Sequence, residues 1–224
     1  MLARLQEGYA RLSQFSADLA HEFRTPVTNL LGQSQVMLAR PRSAHEYEQL
    51  VSSNVEELER LSRMIDSMLF LARAQQDEMV LVKQTLPVQD EFLRLADFFE
   101  GLAEERGLAL VCHGSGNVTA EPQLLRRALG NLLSNAIRHA APGSTIILRS
   151  HQTGAGMELS VTNLGTAIPA RHLPHLFERF YRADPARSDS AASTGLGLAI
   201  VTAILQLHGG SATVASDAAA TTFT

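Results

Sequence analysis

One feature constrains this chain more than any other: a seven-residue apolar repeat, Val51, Leu58, Ile65 and Ala72, with Leu61 and Met68 between its members and Asn54 as the polar interruption. A period near 3.5 residues lays such side chains along one stripe of a helix and requires a second helix to cover it. The preceding segment obeys the same rule, because Leu5, Leu12, Phe15, Leu19, Phe23 and Leu30 mark a stripe at helical spacing. Residues 1–76 hold only two glycines (Gly8, Gly32) and two prolines (Pro26, Pro41), so both helices run long. Between them Ala39-Arg40-Pro41-Arg42-Ser43 supplies a turn, with Ser43 placed to cap the second helix. One hairpin cannot bury both stripes by itself, and pairing two hairpins into a four-helix bundle completes the core. Residues 1–76 are therefore expected to form a homodimerising helical hairpin.

The pattern changes after Asp77. Residues 77–84 read as a linker and the start of a first strand spanning 79–86, followed by an amphipathic helix over 87–106 opened by Pro87 and a strand over 108–113. A helix over 121–139, strands over 144–151 and 157–163, a polar stretch over 182–194, a helix over 197–208, and strands over 211–216 and 220–224 complete the series, the last cut short at Thr224. Strands and helices mix without a regular βαβ alternation, which makes residues 85–224 an α/β sandwich and the whole chain α+β.

Composition closes off several classes. At 224 residues with 45% apolar side chains, the chain is too long and too apolar to be disordered, and a net charge of -4 disfavours a nucleic-acid binder with a broad basic surface. Cys112 is the single cysteine, so neither an internal disulfide nor a zinc knuckle can form. No run approaches the ~18 apolar residues of a membrane span. Lys83 is the only lysine, and no Walker-type loop surrounds it.

Candidate chemistry lies at four places. His21 stands two positions past Leu19, about 200° around the helix, on a polar face with Gln14, Asp18, Thr25 and Thr28. Glu22 is its adjacent carboxylate; a zinc protease would need a second ligand at position 25, which is Thr25. Asn131 and Asn135 share a helix face at i,i+4, where neutral amides can hold hydrated Mg²⁺ without repelling a nucleotide. Asn163-Leu-Gly165-Thr-Ala-Ile168 follows a strand, and Thr194-Gly195-Leu196-Gly197-Leu198 opens a helix whose N-terminus suits phosphate. His172 and His175, split by Pro174, read as an ordinary loop.

Taken in order, these segments resemble sensor histidine kinases over essentially the whole chain. Phe15 to Pro26 is similar to their H box, Asn131 to His139 to the N box, Asn163 to Ile168 to the G1 box, Leu176 to Arg182 to the F box, and Thr194 to Ile200 to the G2 box. Ser16 to Ala20, Val27 to Leu30 and Arg182 to Arg187 look most like the copper/silver and other heavy-metal sensing branch. The resemblance implies a dimerisation and phosphotransfer domain followed by a catalytic ATP-binding domain of the GHKL type. It implies that His21 accepts phosphate, that Glu22 keeps the imidazole nucleophilic, and that Thr25 orients water for dephosphorylating a response regulator. For ATP and Mg²⁺ it implies Asn135 as the metal ligand, Asn131 and Arg138 near phosphates, Asn163 and Gly165 framing the adenine, and Gly195 and Gly197 ending the lid over the nucleotide. His139, Ile168, Phe177, Phe180, Arg187, Thr194, Leu196, Leu198 and Thr222 are implied as further nucleotide-binding residues. The implied partners are a second copy and a response regulator receiver domain. The implied setting is a bacterial inner-membrane protein with this part in the cytoplasm.

Two departures stand out: Asn163 replaces the family's Asp, and Ala192-Ser193 replaces glycine. A neutral acceptor weakens the bond to the adenine amine by ~1 kcal/mol, or about fivefold in affinity, and discriminates less against guanine. A GHKL-type ATPase would carry a glutamate four residues before Asn135; Asn131 stands there, which favours transfer over hydrolysis. A dimerising scaffold without catalysis is the remaining alternative, favoured only by the change at Asn163.

Overall fold

The computed structural model describes residues 2–74, 79–183 and 194–224, with side chains in the first helix described from Leu19 onward, His21 excepted. The described chain divides into two compact units, Met1–Ser67 and Met68–Thr224.

The first unit is a helical hairpin of α1 (Leu2–Leu38) and most of α2 (Ala44–Ala74). Its turn is fixed by reciprocal capping. The Ser43 N–H donates to Glu46 Oε2 (2.8 Å), and the Glu46 N–H donates to Ser43 Oγ (3.3 Å). The Ser43 N–H and hydroxyl, both donating to Glu46 Oε2, hold that carboxyl below the usual range, with Arg42 beside them. Pro26 lies buried inside α1; without an N–H it leaves the Glu22 carbonyl short of its helical donor. Asn54 Nδ2 donates to Ser34 Oγ (3.4 Å), so the polar interruption of the heptad faces α1 of the same chain. The heptad itself does not. Val51, Leu58 and Ile65 are 59%, 56% and 46% exposed, and Val27, Leu31 and Val36 on α1 are exposed too. A repeat shows that a stripe needs cover, and the fold shows that the cover is not the neighbouring helix.

The second unit opens with the last turn of α2, where Met68, Phe70 and Leu71 are buried and the Arg127 guanidinium lies 4.3 Å over the Phe70 ring. By its packing this apolar turn belongs to the second compact unit, Met68–Thr224. Strand β1 (Gln84–Pro87) then pairs antiparallel with β3 (Asn117–Ala120). The expected strand over 79–86 forms only from Gln84, and Val80 stands 91% exposed. Strand β3 is an element that the sequence pattern does not signal.

Helix α3 (Val88–Glu104) comes next with Pro87 as its N-cap, then β2 (Ala109–His113), α4 (Pro122–His139), β4 (Thr145–Thr153) and β5 (Gly156–Asn163). A 3-10 turn at Leu173–His175 forms within the expected loop, and α5 (Gly197–His208), β6 (Val214–Ser216) and β7 (Thr221–Phe223) complete the unit. The polar stretch from 184 to 193 lies outside the described residues. The five-stranded sheet runs β2-β4-β5-β7-β6, parallel between β2 and β4 and antiparallel elsewhere. Its inner face carries Ile146, Leu148, Val161 and Phe223, buried with Phe92, Leu133 and Ile204 of the helices; this is the α/β sandwich.

Two polar ties fix the helices. Glu91 of α3, 3% exposed, accepts from Arg126 Nε (2.6 Å) and Nη2 (2.9 Å) of α4, and Arg126 above all holds the carboxyl below its ordinary range. At the N-terminal end of α4, the Glu121 N–H donates to His208 Nε2 (2.9 Å), while His208 Nδ1–H donates to the Ile204 carbonyl (2.8 Å). Both partners are backbone groups, so the tautomer is fixed and α5 is pinned to the start of α4.

Candidate functional site

Asn131, Asn135 and His139 occupy one face of α4 at successive turns, spanning about 12 Å at the helical rise. A glycine brackets each end of that face. At Gly197, the first residue of α5, a Cβ would come within 3.1 Å of Asn131 Oδ1. At Gly165 a Cβ would collide with the His139 carbonyl oxygen and approach Asn163 Nδ2 at 3.3 Å. The loop after β5 is clasped to the end of α4 by the Ala141 N–H donating to the Leu164 carbonyl (2.8 Å), with a bridge between Ala140 and Gly165. Gly165 cannot take a side chain, because the His139 carbonyl already fills the space, and at Gly197 a Cβ would fit only if the Asn131 amide gave way by a few tenths of an ångström.

Asn131 Nδ2 donates to the Arg127 carbonyl (2.9 Å), which leaves Oδ1 as the atom beside Gly197. Asn135 and Arg138 are half-buried one turn further on, and His139 is exposed. Helix α5 begins with Leu196 as its N-cap and no side-chain capping bond, so its first N–H groups and the positive end of its dipole remain for an anion. Leu196 itself is fully buried and anchors the turn, and Thr194 and Leu198 flank it half-buried.

Asn163 closes the other end. It is 4% exposed, and its Nδ2 makes one long bond to the Leu164 carbonyl (3.4 Å). The amide oxygen of such a residue has the chemistry of a neutral hydrogen-bond acceptor. Directly opposite on β7 lies Thr221, 5% exposed, whose Oγ1 is 2.7 Å from Ser216 Oγ, which accepts from the Ile168 N–H (2.9 Å). Thr222 is placed elsewhere: its Oγ1 meets Thr162 Oγ1 (2.9 Å) on the other face of the sheet. Alternation along the strand turns Thr222 away from Asn163 and brings Thr221 in, a distinction that depends on a register the sequence does not display.

Phe177 packs edge-on against Phe223 at 6.3 Å between ring centres. Phe180 has a left-handed backbone (φ 62°), and its N–H donates to the Gly195 carbonyl (2.9 Å), Gly195 being left-handed as well (φ 66°). Arg187 and Ala192-Ser193 lie outside the described residues. His21 lies within α1, its side chain likewise undescribed; Glu22 beside it is half-buried, and Thr25, one turn on, is exposed. These three belong to the first unit and the cradle on α4 to the second.

Two family models match, one on each side of residue 77. The family His Kinase A (phospho-acceptor) domain matches residues 11–77, and the family described as histidine kinase-, DNA gyrase B-, and HSP90-like ATPase matches residues 120–224. The sensor protein IrlS of Burkholderia pseudomallei is 48% identical over 217 residues, covering 97% of this chain and 47% of that protein. The sensor histidine kinase CusS of Escherichia coli is 45% identical over 224 residues, covering all of this chain and 47% of its own length. The chain thus spans about half the length of the curated relatives it matches. Among solved structures, histidine kinase ThkA in complex with the response regulator protein TrrA superposes with a TM-score of 0.78 at 21% identity, over 97% of this chain and 62% of that one, a likeness of fold.

Proposed function

This chain belongs to the sensor histidine kinases, and we propose that it is an ATP-dependent autokinase that phosphorylates His21 and passes the phosphoryl group to an aspartate of a response regulator. The cradle on α4 is the observation that carries the reading: Gly165 packed on the His139 carbonyl and Gly197 packed on the Asn131 amide, two amides on the face between them, and the amide of buried Asn163.

The residues present fit Mg²⁺ and ATP. The adenine amine finds its acceptor in Asn163 Oδ1, with Thr221 replacing Thr222 as the hydroxyl on that face. The uncapped start of α5 faces the phosphates, and Asn135 would hold Mg²⁺ through its amide oxygen. Bound there, Mg²⁺ supplies charge neutralisation across the terminal phosphates. His21 acts as the nucleophile: an N–P bond forms at its imidazole, the bond from the γ-phosphorus to the bridging oxygen breaks, and ADP leaves. Glu22 takes the imidazole proton and keeps the ring neutral for attack. Thr25, exposed one turn away, orients water when the phosphorylated regulator is dephosphorylated.

The exposed stripe of Val51, Leu58 and Ile65 is covered in this reading by the same stripe of a second chain, in the four-helix bundle expected from the heptad. Similarity to IrlS and CusS, both named as sensors, supports a signalling role. The likeness of Ser16–Ala20, Val27–Leu30 and Arg182–Arg187 to the heavy-metal sensing branch supports a metal as the signal, received by a protein anchored in the bacterial inner membrane with this part in the cytoplasm. No helix among the described residues is long and apolar enough to cross a membrane. The test is incubation with γ-labelled ATP and Mg²⁺, with the label characterised for acid lability and base stability. Label is expected on the parent chain and absent from His21→Gln; label that persists in His21→Gln would overturn the assignment.

A further inference from the structure

His172 lies outside the cradle and takes no part in phosphoryl transfer. Its environment nevertheless leads back to the phosphate-facing turn. His172 Nδ1 is 2.6 Å from the Tyr181 hydroxyl, and Arg171 Nε donates to His172 Nε2 at 3.2 Å. A guanidinium can only donate, so Nε2 must accept, the ring proton sits on Nδ1, and His172 donates to Tyr181. His175 completes the hold: its ring lies 5.4 Å from that of Tyr181, and its Nδ1 is bonded to Glu178 (2.7 Å). Tyr181 is thus fixed by hydroxyl and ring together.

Tyr181 immediately succeeds Phe180, a non-glycine residue in the left-handed region. Such a backbone persists only where its surroundings enforce it. One constraint is the bond from the Phe180 N–H to the Gly195 carbonyl, and the approach there is so close that a Cβ on Gly195 would come within 2.7 Å of Phe180 Cα. Two residues beyond Gly195 stands Gly197, against Asn131 Oδ1. A continuous series of contacts therefore runs from His172 through Tyr181, Phe180 and Gly195 to the turn that opens α5.

We propose that His172 is a positioning residue for the nucleotide: by donating to the Tyr181 hydroxyl it keeps Phe180 left-handed and holds the Thr194–Gly197 turn against Asn131. The proposal rests on the kinase reading, since it assigns that turn to the phosphates. His172 touches no substrate and acts on affinity alone. Loss of one neutral hydrogen bond should weaken nucleotide binding by about three- to tenfold.

The experiment measures the apparent KM for ATP and kcat of label formation for the parent, His172→Phe, Tyr181→Phe, the double variant and His172→Asn. Each of the two Phe variants should raise KM by about three- to tenfold with kcat within about twofold of the parent. The double variant should be no worse than the more impaired single, because both remove the same bond. His172→Asn, whose amide nitrogen takes the place of Nδ1 and can still donate, should restore the parental KM. Unchanged KM in Tyr181→Phe, the milder change, would overturn the proposal. So would a double variant whose losses add, a uniform fall in kcat, or a His172→Asn chain as weak as His172→Phe. A parent chain that takes up no label would overturn the kinase reading and this assignment with it. Labelled parent and variants with equal KM would overturn the assignment alone.

Discussion

The two units of this chain solve the problem of burying apolar surface in opposite ways. The second unit closes on itself: Phe92, Leu133, Ile146, Leu148, Val161 and Ile204 are all within a few per cent of fully buried, and a carboxylate in that interior is met by a guanidinium. The first unit holds its turn and its Ser34–Asn54 contact internally while the most regular apolar positions of its sequence face outward. A core can thus be finished within one chain or left to a second copy, and in the proposed dimer the heptad belongs to the second kind. The proposed nucleotide cradle, with glycines packed closely on α4, needs the first solution. The proposed phospho-accepting helix, which would meet partners, suits the second.

Charging the outward stripe should erase the difference most completely. Leu58→Glu combined with Ile65→Glu places two carboxylates where the proposed dimer has its core, and the dimer dissociation constant should rise by at least about a hundredfold. Affinity for Mg²⁺ and ATP should stay at the parental value. Sedimentation equilibrium and nucleotide titration on the same sample check both halves; an intact dimer would place the partner surface elsewhere.

A smaller effect is expected within the second unit. The carboxyl of Glu91 is held below its ordinary value of 4.5, first by the bond from Arg126. A depressed folded value contributes stability above pH 4.5, and that contribution is lost as the pH falls through the folded value. Arg126 is 42% exposed, so the pair is worth a modest ~1 to 3 kcal/mol. Glu91→Gln should therefore lower the melting temperature of the second unit at pH 7 and flatten its acid dependence, leaving helical content of the hairpin unchanged. Calorimetric melts at neutral pH and below the carboxylate range test this, and parallel acid slopes in parent and variant would remove Glu91 as the cause.

The two units are also unequally legible in the sequence, for physical reasons. Long periodic elements are readable, and the hairpin, its Ser43 cap, α3, α4 and α5 all form within a few residues of the expected bounds. The heptad announces a stripe in need of cover, but periodicity leaves open which side chains turn inward to α1 and which turn away; that Asn54 does the former and Val51, Leu58 and Ile65 the latter emerges only from the fold. Strand β3 is four residues long with only Val118 and Ala120 apolar, too short a run for alternation to register. The glycines and asparagines of the cradle are visible because few other residue types fit a close backbone approach or a neutral metal ligand. Thr221 and Ser216 are not, because which threonine shares a face with Asn163 is decided by strand register, a long-range property. The hold of His172 on Tyr181 is hidden likewise, since nothing in a loop histidine announces the tyrosine nine residues on.

In this view nucleotide is held on the α4 face of the second unit, separately from the histidine it phosphorylates. Titration calorimetry of ATP with Mg²⁺ into His21→Gln and Asn135→Ala separates the two roles. His21→Gln should bind with the parent's affinity, and Asn135→Ala should show no Mg²⁺-dependent binding while remaining a dimer. Equal affinity in Asn135→Ala and the parent would contradict a nucleotide site on α4.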